Sequence, residues 1–349
     1  MNHPQIDFLF PALSLTALAM ESIGNILADD PQHQATISVL VDRPEISPSS
    51  LERAQVFGDR IHVRATGKPS QGPAIVRNAL AATTRSPFLV FVHSEVLIPP
   101  HFVSRLLERT AELGLGHILA SAIRPTSPRF AASRYFSTFV LSPSVVNGRI
   151  VAPRTALAMA RATWDQSGGF DDSRLRPGGE DREWMIRNHN RPESSFSVHF
   201  DTALFVHQLT PRGPTGLIRQ AWRYGKSSLL IDAARNAARE TKKEKNSGDF
   251  AAASSDSPSL PPRIGSLMWW ALAQRNKSKS VELVLWKNRI IYQLQPRDLL
   301  PSLIFGTIFS LTYRVSGVWD QRKLRRVRKV QSSSRSRPGI TQVRSGPVD

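Results

Sequence analysis

The alternation of short apolar runs with segments of helical periodicity is the feature that most constrains the fold. Four runs rich in apolar or β-branched side chains predict strands at residues 6–10, 35–41, 60–63 and 88–92. Apolar side chains recur at helical spacing between Leu15 and Leu27, and Gly72-Pro73 is a typical start for a second helix. This order of elements predicts an α/β fold in which helices cover both faces of a mostly parallel central sheet.

The chain beyond Pro100 repeats these signals with less regularity. Helices are predicted at residues 102–113, from Glu180 onward and at 217–234, and strands at 117–123, 156–161 and 203–206. The stretch 124–153 has no clear period, so we predict irregular structure there.

Composition limits the classes of protein to consider. A hydrophobic fraction of 40% is ample for a buried core, and the absence of cysteine excludes disulfides and thiolate metal sites. The formal net charge of +18 favours anionic partners such as nucleic acid, anionic lipid or phosphorylated substrates. Ten basic residues and a single acid lie between Arg314 and Arg344, so much of this charge belongs to the C-terminal tail.

The sequence divides into four parts by composition. Residues 1–234 form the main domain, 235–262 a linker rich in Lys, Glu, Ala, Ser and Pro, 263–330 an apolar and basic helical extension, and 331–349 a disordered basic tail. Residues 299–319 approach the length of a membrane span, but Pro301, Gly306 and Arg314 favour an interfacial helix over a spanning one. The alternative is a packed C-terminal helix followed by a solvated tail.

Polar residues follow two predicted strands at the point where each strand ends. Asp42 follows residues 35–41, and His93-Ser94-Glu95 follows residues 88–92. Ligands of parallel sheets bind at the carboxyl ends of the strands, where the loops gather. We therefore expect these side chains to line one cleft.

A glycine-rich stretch leads to an acidic pair. The sequence reads Ser167-Gly168-Gly169-Phe170-Asp171, and then Gly178-Gly179-Glu180-Asp181 at the start of a predicted helix. Glycine lets backbone approach a ligand closely, so this arrangement predicts carboxylates at a pocket wall. The alternative is that Glu180 and Asp181 only cap a helix, because acidic residues favour first turns.

Taken in order, these motifs resemble family 2 glycosyltransferases of the GT-A fold, over roughly the first two thirds of the chain. The motifs that carry the resemblance are Pro11, Asp42, Arg77-Asn78, His93-Ser94-Glu95, Gly168-Gly169-Phe170-Asp171, Gly179-Glu180-Asp181 and His207. The resemblance implies a GT-A type, Rossmann-like catalytic domain in residues 1–234 with a C-terminal helical extension. It also implies transfer of a sugar from a nucleotide-diphospho-sugar donor to an acceptor hydroxyl.

The resemblance assigns roles to individual residues. Asp42 would hold the base of the nucleotide, His93-Ser94-Glu95 would stand where the family has its Asp-x-Asp motif, and Asp181, beside Glu180, would be the catalytic base. Glu95 and His207 would hold a divalent cation, Mn²⁺ or Mg²⁺, at the donor diphosphate. The further substrate-binding candidates are Pro11, Arg77, Asn78, His93, Ser94, Gly168 and Gly169. The chain departs from the family at His93, which replaces an acid, and at Ala12-Leu13-Ser14.

The expected chemistry is an inverting displacement with Asp181 as general base. Imidazoles suit manganese better than magnesium, and if metal binding is weak, cations such as Arg212 or Lys226 could hold the phosphates instead. Glycans, lipid-linked molecules and other hydroxyl compounds stay open as acceptors, and an anionic membrane surface as a partner. With no signal peptide recognised, we expect a cytoplasmic protein, peripheral at the inner face of the membrane.

Two other functions fit the sequence less well. The first is a protein of the same fold that binds nucleotide sugars but has lost catalysis together with the missing carboxylate. The second is a basic protein that binds nucleic acid or anionic lipid, although no recognition motif for a specific nucleic acid accompanies the charge.

Overall fold

The computed structural model describes most of the first 224 residues and a short C-terminal helix. The described residues are 5–30, 32, 34–114, 116–137, 141, 143–146, 149–151, 155–172, 180–189, 197–224, 301, 304–313 and 315. The predicted linker, most of the predicted extension and the basic tail lie outside them, as do Gly178, Gly179 and Lys226.

The described residues form ten strands and nine α-helices. The strands are β1 (Ile6–Ala12), β2 (Ala35–Val41), β3 (Ile61–Ala65), β4 (Phe88–Val92), β5 (Val96–Leu97), β6 (His117–Pro125), β7 (Ser144–Val146), β8 (Arg149–Val151), β9 (Ala156–Ala160) and β10 (Ser197–Gln208). Seven helices are α1 (Ala17–Ala28), α2 (Pro48–Gln55), α3 (Pro73–Thr83), α4 (Phe102–Leu113), α5 (Ala131–Tyr135), α6 (Arg161–Ser167) and α7 (Glu180–His189). The last two are α8 (214–224) and α9 (304–313).

Eight strands form one mixed sheet in the order β3-β2-β1-β4-β9-β6-β10-β5. Neighbouring strands are parallel from β3 to β4 and between β6 and β10, whereas β9 is antiparallel to both of its neighbours and β5 is antiparallel to β10. Strands β7 and β8 form a separate hairpin. The predicted α/β fold with helices around a central sheet is confirmed, and it is consistent with a GT-A-like Rossmann fold.

The core consists of one apolar layer on each face of the sheet. All seven residues of β1 are buried, and successive side chains point to opposite faces. Phe8 and Phe10 belong to the cluster that includes Ile23 and Ile26 of α1, while Leu9 belongs to the cluster that includes Leu80 of α3. Continuous apolar runs form strands here because both faces of the sheet are covered.

Pro11 does not end β1, contrary to the prediction from sequence. The strand continues to Ala12, and Pro11 lies opposite Leu40 of β2. The backbone groups of Ile6 and Ala12 form hydrogen bonds on the side of β2. Because backbone groups alternate between the two sides of a strand, the nitrogen of Pro11 faces the side of β4. Pairing with β4 stops at Leu9, and the N–H that proline lacks therefore has no ladder partner to lose.

The stretch 124–153, predicted to be irregular, contains the end of β6, helix α5 and the β7–β8 hairpin. These elements are three to five residues long, apart from β6, and such short pieces leave no readable period in a sequence. Two other boundaries also differ from the prediction. Arg161 starts α6 instead of ending a strand, and β10 begins at Ser197, with a register shift between Asp201 and Phe205.

Helix α9 packs on the main domain through aromatic side chains. The Phe309 ring centroid lies 6.2 Å from that of Phe136 and 6.5 Å from that of Tyr224, and Phe305 lies 6.1 Å from Tyr135. Within the described part of the chain, no helix has the length and apolar character needed to cross a bilayer.

Candidate functional site

Asp42 lies at the carboxyl end of β2 and is 4% exposed. Its backbone N–H donates to the carbonyl of Ala12 at 2.7 Å, which places it beside the end of β1. Its carboxylate accepts hydrogen bonds from the Ser70 hydroxyl at 2.7 Å and from the backbone N–H groups of Gln71 and Gly72 at 2.8 and 2.9 Å. Asp42 therefore fixes the chain segment that leads into α3.

These contacts give Asp42 a structural role at a helix terminus. Gly72 is the N-cap of α3 with φ of 98°, and Pro73 follows it in the first helical turn. A carboxylate beside the first N–H groups of a helix satisfies donors that have no partner within the helix and favours the positive end of the helix dipole. A nucleotide base that bonded to Asp42 would share a carboxylate that already serves this helix.

His93 replaces an acid but keeps one property of a carboxylate. Its Nδ1 accepts a hydrogen bond from the backbone N–H of Glu95 at 3.2 Å, as an aspartate oxygen does in a turn. The backbone N–H of His93 donates to the carbonyl of Thr155 at 3.0 Å. In a neutral imidazole whose Nδ1 accepts, Nε2 carries the proton. His93 in this tautomer can offer a hydrogen-bond donor to a phosphate, whereas an aspartate would offer an acceptor to a metal.

Glu95 lies next to the end of β10. The backbone N–H of Leu209 donates to the carbonyl of Glu95 at 3.1 Å, and His207 lies opposite Leu97 where β10 pairs with β5. The Glu95 side chain is exposed and that of His207 is half-buried. The loop after β4 and the end of β10 thus meet at the same edge of the sheet.

His207 is held neutral by its surroundings. Burial is the main cause that lowers its pKa, and the positive charge of Arg124 lowers it further, against a hydrogen bond with the Pro125 carbonyl. The Arg124 guanidinium lies 3.4 Å from the centroid of the Phe205 ring, which fixes this charge next to β10. A neutral imidazole with one nitrogen bonded to a carbonyl is typical of a metal-ligating histidine, but the adjacent guanidinium suits an anion better than a cation.

A preformed metal centre is absent from the described residues. They contain no group of three His, Asp or Glu side chains close enough to hold a metal ion. Glu95 and His207 are compatible with a cation that the phosphates of a bound donor complete, because Mg²⁺ and similar ions often bind to one or two carboxylates plus substrate phosphates.

The glycine pair forms the turn between α6 and a loop held by α3. Gly168 and Gly169 have φ of 71° and 69°, in the left-handed region. The Asn78 side chain accepts from the backbone N–H of Phe170 at 3.0 Å and donates to the carbonyl of the same residue at 2.9 Å. A Cβ on Gly169 would lie 3.0 Å from Oδ1 of Asn78. Glycine is needed here for the turn and for the close approach of Asn78. The presence of glycine therefore has a structural reason besides the expected approach of a ligand.

Glu180 and Arg77 form a buried ion pair. The two side chains are 5% and 2% exposed, and Nη1 of Arg77 lies 3.1 Å from Oε1 of Glu180. The Arg77 guanidinium also lies 5.8 Å from the centroid of the Phe170 ring. Glu180 therefore anchors the start of α7 to α3, while Asp181, the next residue, is half-buried. The acidic pair combines a fixed carboxylate with a more accessible one.

An aromatic cluster that the sequence reasoning missed supports this loop. The ring centroids of Trp164 and Phe91 lie 4.7 Å apart, those of Trp164 and Phe170 5.2 Å, and those of Phe170 and Trp184 5.7 Å. Two tryptophans, one placed shortly before the glycine pair and one inside the acidic helix, were the available signal. Phe91 lies two residues before His93, so the cluster joins the acidic helix to the end of β4.

Polar side chains of α7 hold the same turn from the other side. The Trp184 indole N–H donates to the Ser167 hydroxyl at 3.0 Å, and Nη2 of Arg187 donates to the carbonyl of Gly169 at 2.7 Å. Arg187 also pairs with Glu183 one turn earlier, at 2.8 Å. The contacts of Trp184 and Arg187 with the turn were also missed, because these partners are 17 and 18 residues apart in sequence.

The structure places several of the predicted site residues at the carboxyl ends of strands that run in the same direction. Asp42 follows β2, His93-Ser94-Glu95 follows β4, and His207 lies near the end of β10. Helix α3 starts beside Asp42, and Arg77 lies about 6 Å further along its axis, at 1.5 Å per residue. Arg77 in turn holds Glu180, so α3 connects the segment beside Asp42 to the start of α7.

Comparison with known proteins identifies the fold. No protein-family model matches the chain, and no curated protein matches its sequence significantly. Among solved structures, the mannosyltransferase PcManGT from Pyrobaculum calidifontis, in complex with GDP-Man and Mn²⁺, has a TM-score of 0.54 and 13% identity, and the alignment covers 92% of this chain and 88% of that chain. S. aureus TarS 1–349 has a TM-score of 0.46 and 13% identity, with 91% and 92% of the two chains covered. At this level of identity, the first likeness establishes a shared fold.

Proposed function

We propose that this chain is a family 2 glycosyltransferase that moves a sugar from a nucleotide-diphospho-sugar to an acceptor hydroxyl. The observation that carries the proposal is the acidic pair at the start of α7. The Glu180 carboxylate is paired with Arg77, the Asp181 side chain is half-buried, and Arg187 of the same helix bonds to the glycine turn that Asn78 holds. The shared fold with a structure that contains GDP-Man supports the donor class.

The donor would bind at the carboxyl edge of the sheet. Asp42 would contact the nucleoside, and the loop 93–95 would contact the diphosphate, with Nε2 of His93 as a hydrogen-bond donor. Arg124 and Arg212 offer positive charge near the end of β10, where the departing diphosphate would lie. Guanidinium groups form strong, often bidentate hydrogen bonds with phosphate oxygens.

Glu95 and His207 would hold a divalent cation together with the donor phosphates. Such a cation, when bound, neutralises negative charge that develops on the leaving diphosphate. The residues themselves position the phosphates, exclude water and supply hydrogen bonds. The lowered pKa of His207 suits this role, because only the neutral imidazole acts as a ligand.

Asp181 would act as the general base. An oxygen of the acceptor forms a bond to the anomeric carbon, the bond from that carbon to the diphosphate oxygen breaks, and the acceptor proton moves to the Asp181 carboxylate. This single displacement inverts the anomeric configuration. Glu180 cannot serve equally well, because its carboxylate is buried in the pair with Arg77.

The substitution Asp181→Asn tests this role. We expect transfer to fall by roughly 10²–10⁴-fold, the usual contribution of general acid–base catalysis, while donor affinity and thermal stability stay unchanged. Asp59→Asn, the same chemical change at an exposed residue beside the opposite edge of the sheet, is the matched control and should keep full activity. Normal turnover by Asp181→Asn would remove this residue from the mechanism.

A binding protein of the same fold without catalysis is the second candidate. It is favoured by His93, which stands where the family has an acid and whose Nδ1 is already used by Glu95. Calorimetry with UDP and GDP, with and without Mn²⁺, followed by a donor screen for turnover, separates the two. Nucleotide binding without hydrolysis or transfer for any donor would favour the binding protein. The cation site would be supported if Mn²⁺ strengthens nucleotide binding by the unchanged protein but no longer does so in Glu95→Gln and His207→Ala.

A further inference from the structure

Helix α9 is apolar on two opposite sides. One side carries Phe305 and Phe309, which pack on Tyr135, Phe136 and Tyr224. The other side carries Ile304, Leu311 and Val315, which are 51%, 64% and 48% exposed. Residues spaced by seven and eleven positions lie on the same side of a helix, so these three form one stripe. A helix that is apolar all round is normally covered by protein or by lipid.

Helix α9 and the two helices on which it packs are basic in sequence. We define the three-helix patch as α5, α8 and α9 with their flanking residues, at 126–137, 209–224 and 301–315. The sequence of these three segments contains no aspartate or glutamate. It contains six arginines: Arg129, Arg134, Arg212, Arg219, Arg223 and Arg314. Of those that the structure describes, all except the half-buried Arg134 are exposed.

The sequence that follows the patch has the same character. Residues 321–329 read Gln-Arg-Lys-Leu-Arg-Arg-Val-Arg-Lys, with six positive charges in nine residues. An exposed apolar stripe on a helix within basic segments suits an anionic membrane, whose headgroups carry negative charge and whose acyl chains are apolar. Basic residues close to an anionic leaflet each add to the attraction, and apolar side chains add to it when they enter the boundary between headgroups and acyl chains.

We propose that the three-helix patch is a docking surface for an anionic membrane. Ile304, Leu311 and Val315 enter the interface, and the exposed side chains of Arg129, Arg219 and Arg223 contact lipid phosphates. A second copy of this chain is a less suitable occupant, because two patches with six arginines each and no acid would repel one another. The proposal does not depend on the proposed enzymatic function.

Co-sedimentation of the full chain with lipid vesicles tests the proposal. We expect binding to vesicles that contain phosphatidylglycerol, weak binding to pure phosphatidylcholine, and loss of binding at about 1 M salt, where charges are screened over ~3 Å. Leu311→Asp should lower the affinity roughly ten-fold or more, because it replaces an inserted apolar group with an anion. Arg219→Gln and Arg223→Gln should each lower the affinity for the anionic vesicles by roughly five-fold.

Val56→Asp is the matched control, because Val56 is 82% exposed at the end of α2 and outside the three-helix patch. It should bind vesicles like the unchanged protein. Thermal melting should show that Leu311→Asp folds normally, since Leu311 is exposed. Unchanged vesicle binding by Leu311→Asp would overturn the proposal. A second result would also overturn it: the unchanged protein does not bind vesicles, and light scattering shows that it forms a dimer which Leu311→Asp dissociates.

Discussion

Gly169 and Gly67 have nearly the same backbone torsion but different surroundings. Their φ angles are 69° and 68°. An added Cβ at Gly67 would meet nothing within 4 Å, whereas at Gly169 it would lie 3.0 Å from Oδ1 of Asn78 and 3.4 Å from the Trp164 ring. The two positions therefore separate the cost of the left-handed backbone from the cost of crowding.

We expect Gly169→Ala to destabilise the protein more than Gly67→Ala. Both substitutions pay about 1–2 kcal/mol for the left-handed conformation. Only Gly169→Ala also pushes Asn78 away from the backbone of Phe170 and weakens two hydrogen bonds. Chemical denaturation of both variants measures the difference in free energy of unfolding. Equal losses would mean that Asn78 yields without cost.

Asp7 provides a prediction about pH. It is the second residue of the apolar strand β1 and is 3% exposed. Burial raises the pKa of its carboxyl group, although hydrogen bonds such as that from the Ser38 hydroxyl at 3.0 Å oppose this. A raised pKa in the folded state means that ionisation favours unfolding. The stabilising contribution of the protonated form is complete below the unfolded pKa, near 3.8, and is lost as pH rises through the folded value.

Asp7→Asn should therefore stabilise the protein at neutral pH and have little effect at pH 4. The amide keeps an oxygen to accept from Ser38 and never ionises. Melting temperatures of both proteins across this pH range measure the effect. If the two melting temperatures differed as much at pH 4 as at pH 7, ionisation of Asp7 would not be the cause of the difference.

At this scale, sequence reasoning found residues whose chemistry is visible in isolation. The glycine pair and the acidic pair belong to this class, and the structure ties the turn after the glycines and the start of α7 to successive residues of α3. Arg77 and Asn78 were expected near the substrate, but they bond to Glu180 and Phe170, at separations of 103 and 92 residues. Such pairing depends on tertiary packing and has no local signal.

Among the elements, α3 makes the most informative contacts. Two successive residues hold two different partners: Arg77 holds α7 through Glu180, and Asn78 holds the loop after α6. Because Arg77 is 1% exposed, the pair with Glu180 lies in a region of low dielectric constant. The loss of either partner removes the opposite charge that this ion pair supplies to the other buried group.

A double-mutant cycle on Arg77 and Glu180 should show strong coupling. Arg77→Met or Glu180→Gln alone should cost about 3–5 kcal/mol of stability, and the double variant should cost much less than the sum. Asp165→Asn, which removes an exposed pair with Arg161 on α6, is the control and should cost about 0.5 kcal/mol or less. Additive losses at Arg77 and Glu180 would show that the pair contributes nothing beyond its two members.

Elements with a long, regular pattern were predictable, and those defined by their neighbours were not. The β2 run and the helix α4 have their predicted bounds, because seven apolar or β-branched residues and twelve amphipathic residues are strong signals. Residues 197–200 of β10 carry exposed or half-buried side chains and form a strand because they pair with β6. The hairpin of β7 and β8 has three residues in each strand, too few for any periodicity.

At the scale of the whole molecule, the C-terminal part is not a separable appendage. Helix α9 covers Tyr135, Phe136 and Tyr224 of the main domain. The sequence indicated an apolar C-terminal helix, but its packing partner could not be read from composition. The domain boundaries at residues 234, 262 and 330 lie outside the described residues and stay predictions.

Truncation of the chain after residue 262 should destabilise the main domain. It removes α9 and exposes three aromatic side chains, each of which gains about 1.5–3 kcal/mol from full burial, so the expected loss is a few kcal/mol. Truncation after residue 330 removes no described residue and serves as the control. Melting temperatures and solubility of the two truncated proteins give the comparison. Equal stability would mean that α9 contributes no net packing energy.

Helix α3 has one more consequence, which concerns how two ligands would influence each other. Its first turn is tied to Asp42, at the expected nucleoside position, and its middle is tied to the loop and the acidic helix of the expected acceptor side. Because α3 is fixed at both places, a small displacement at one of them moves the other. If donor binding shifts α3, it alters acceptor affinity by some factor. Thermodynamic reciprocity then requires that acceptor binding alters donor affinity by the same factor.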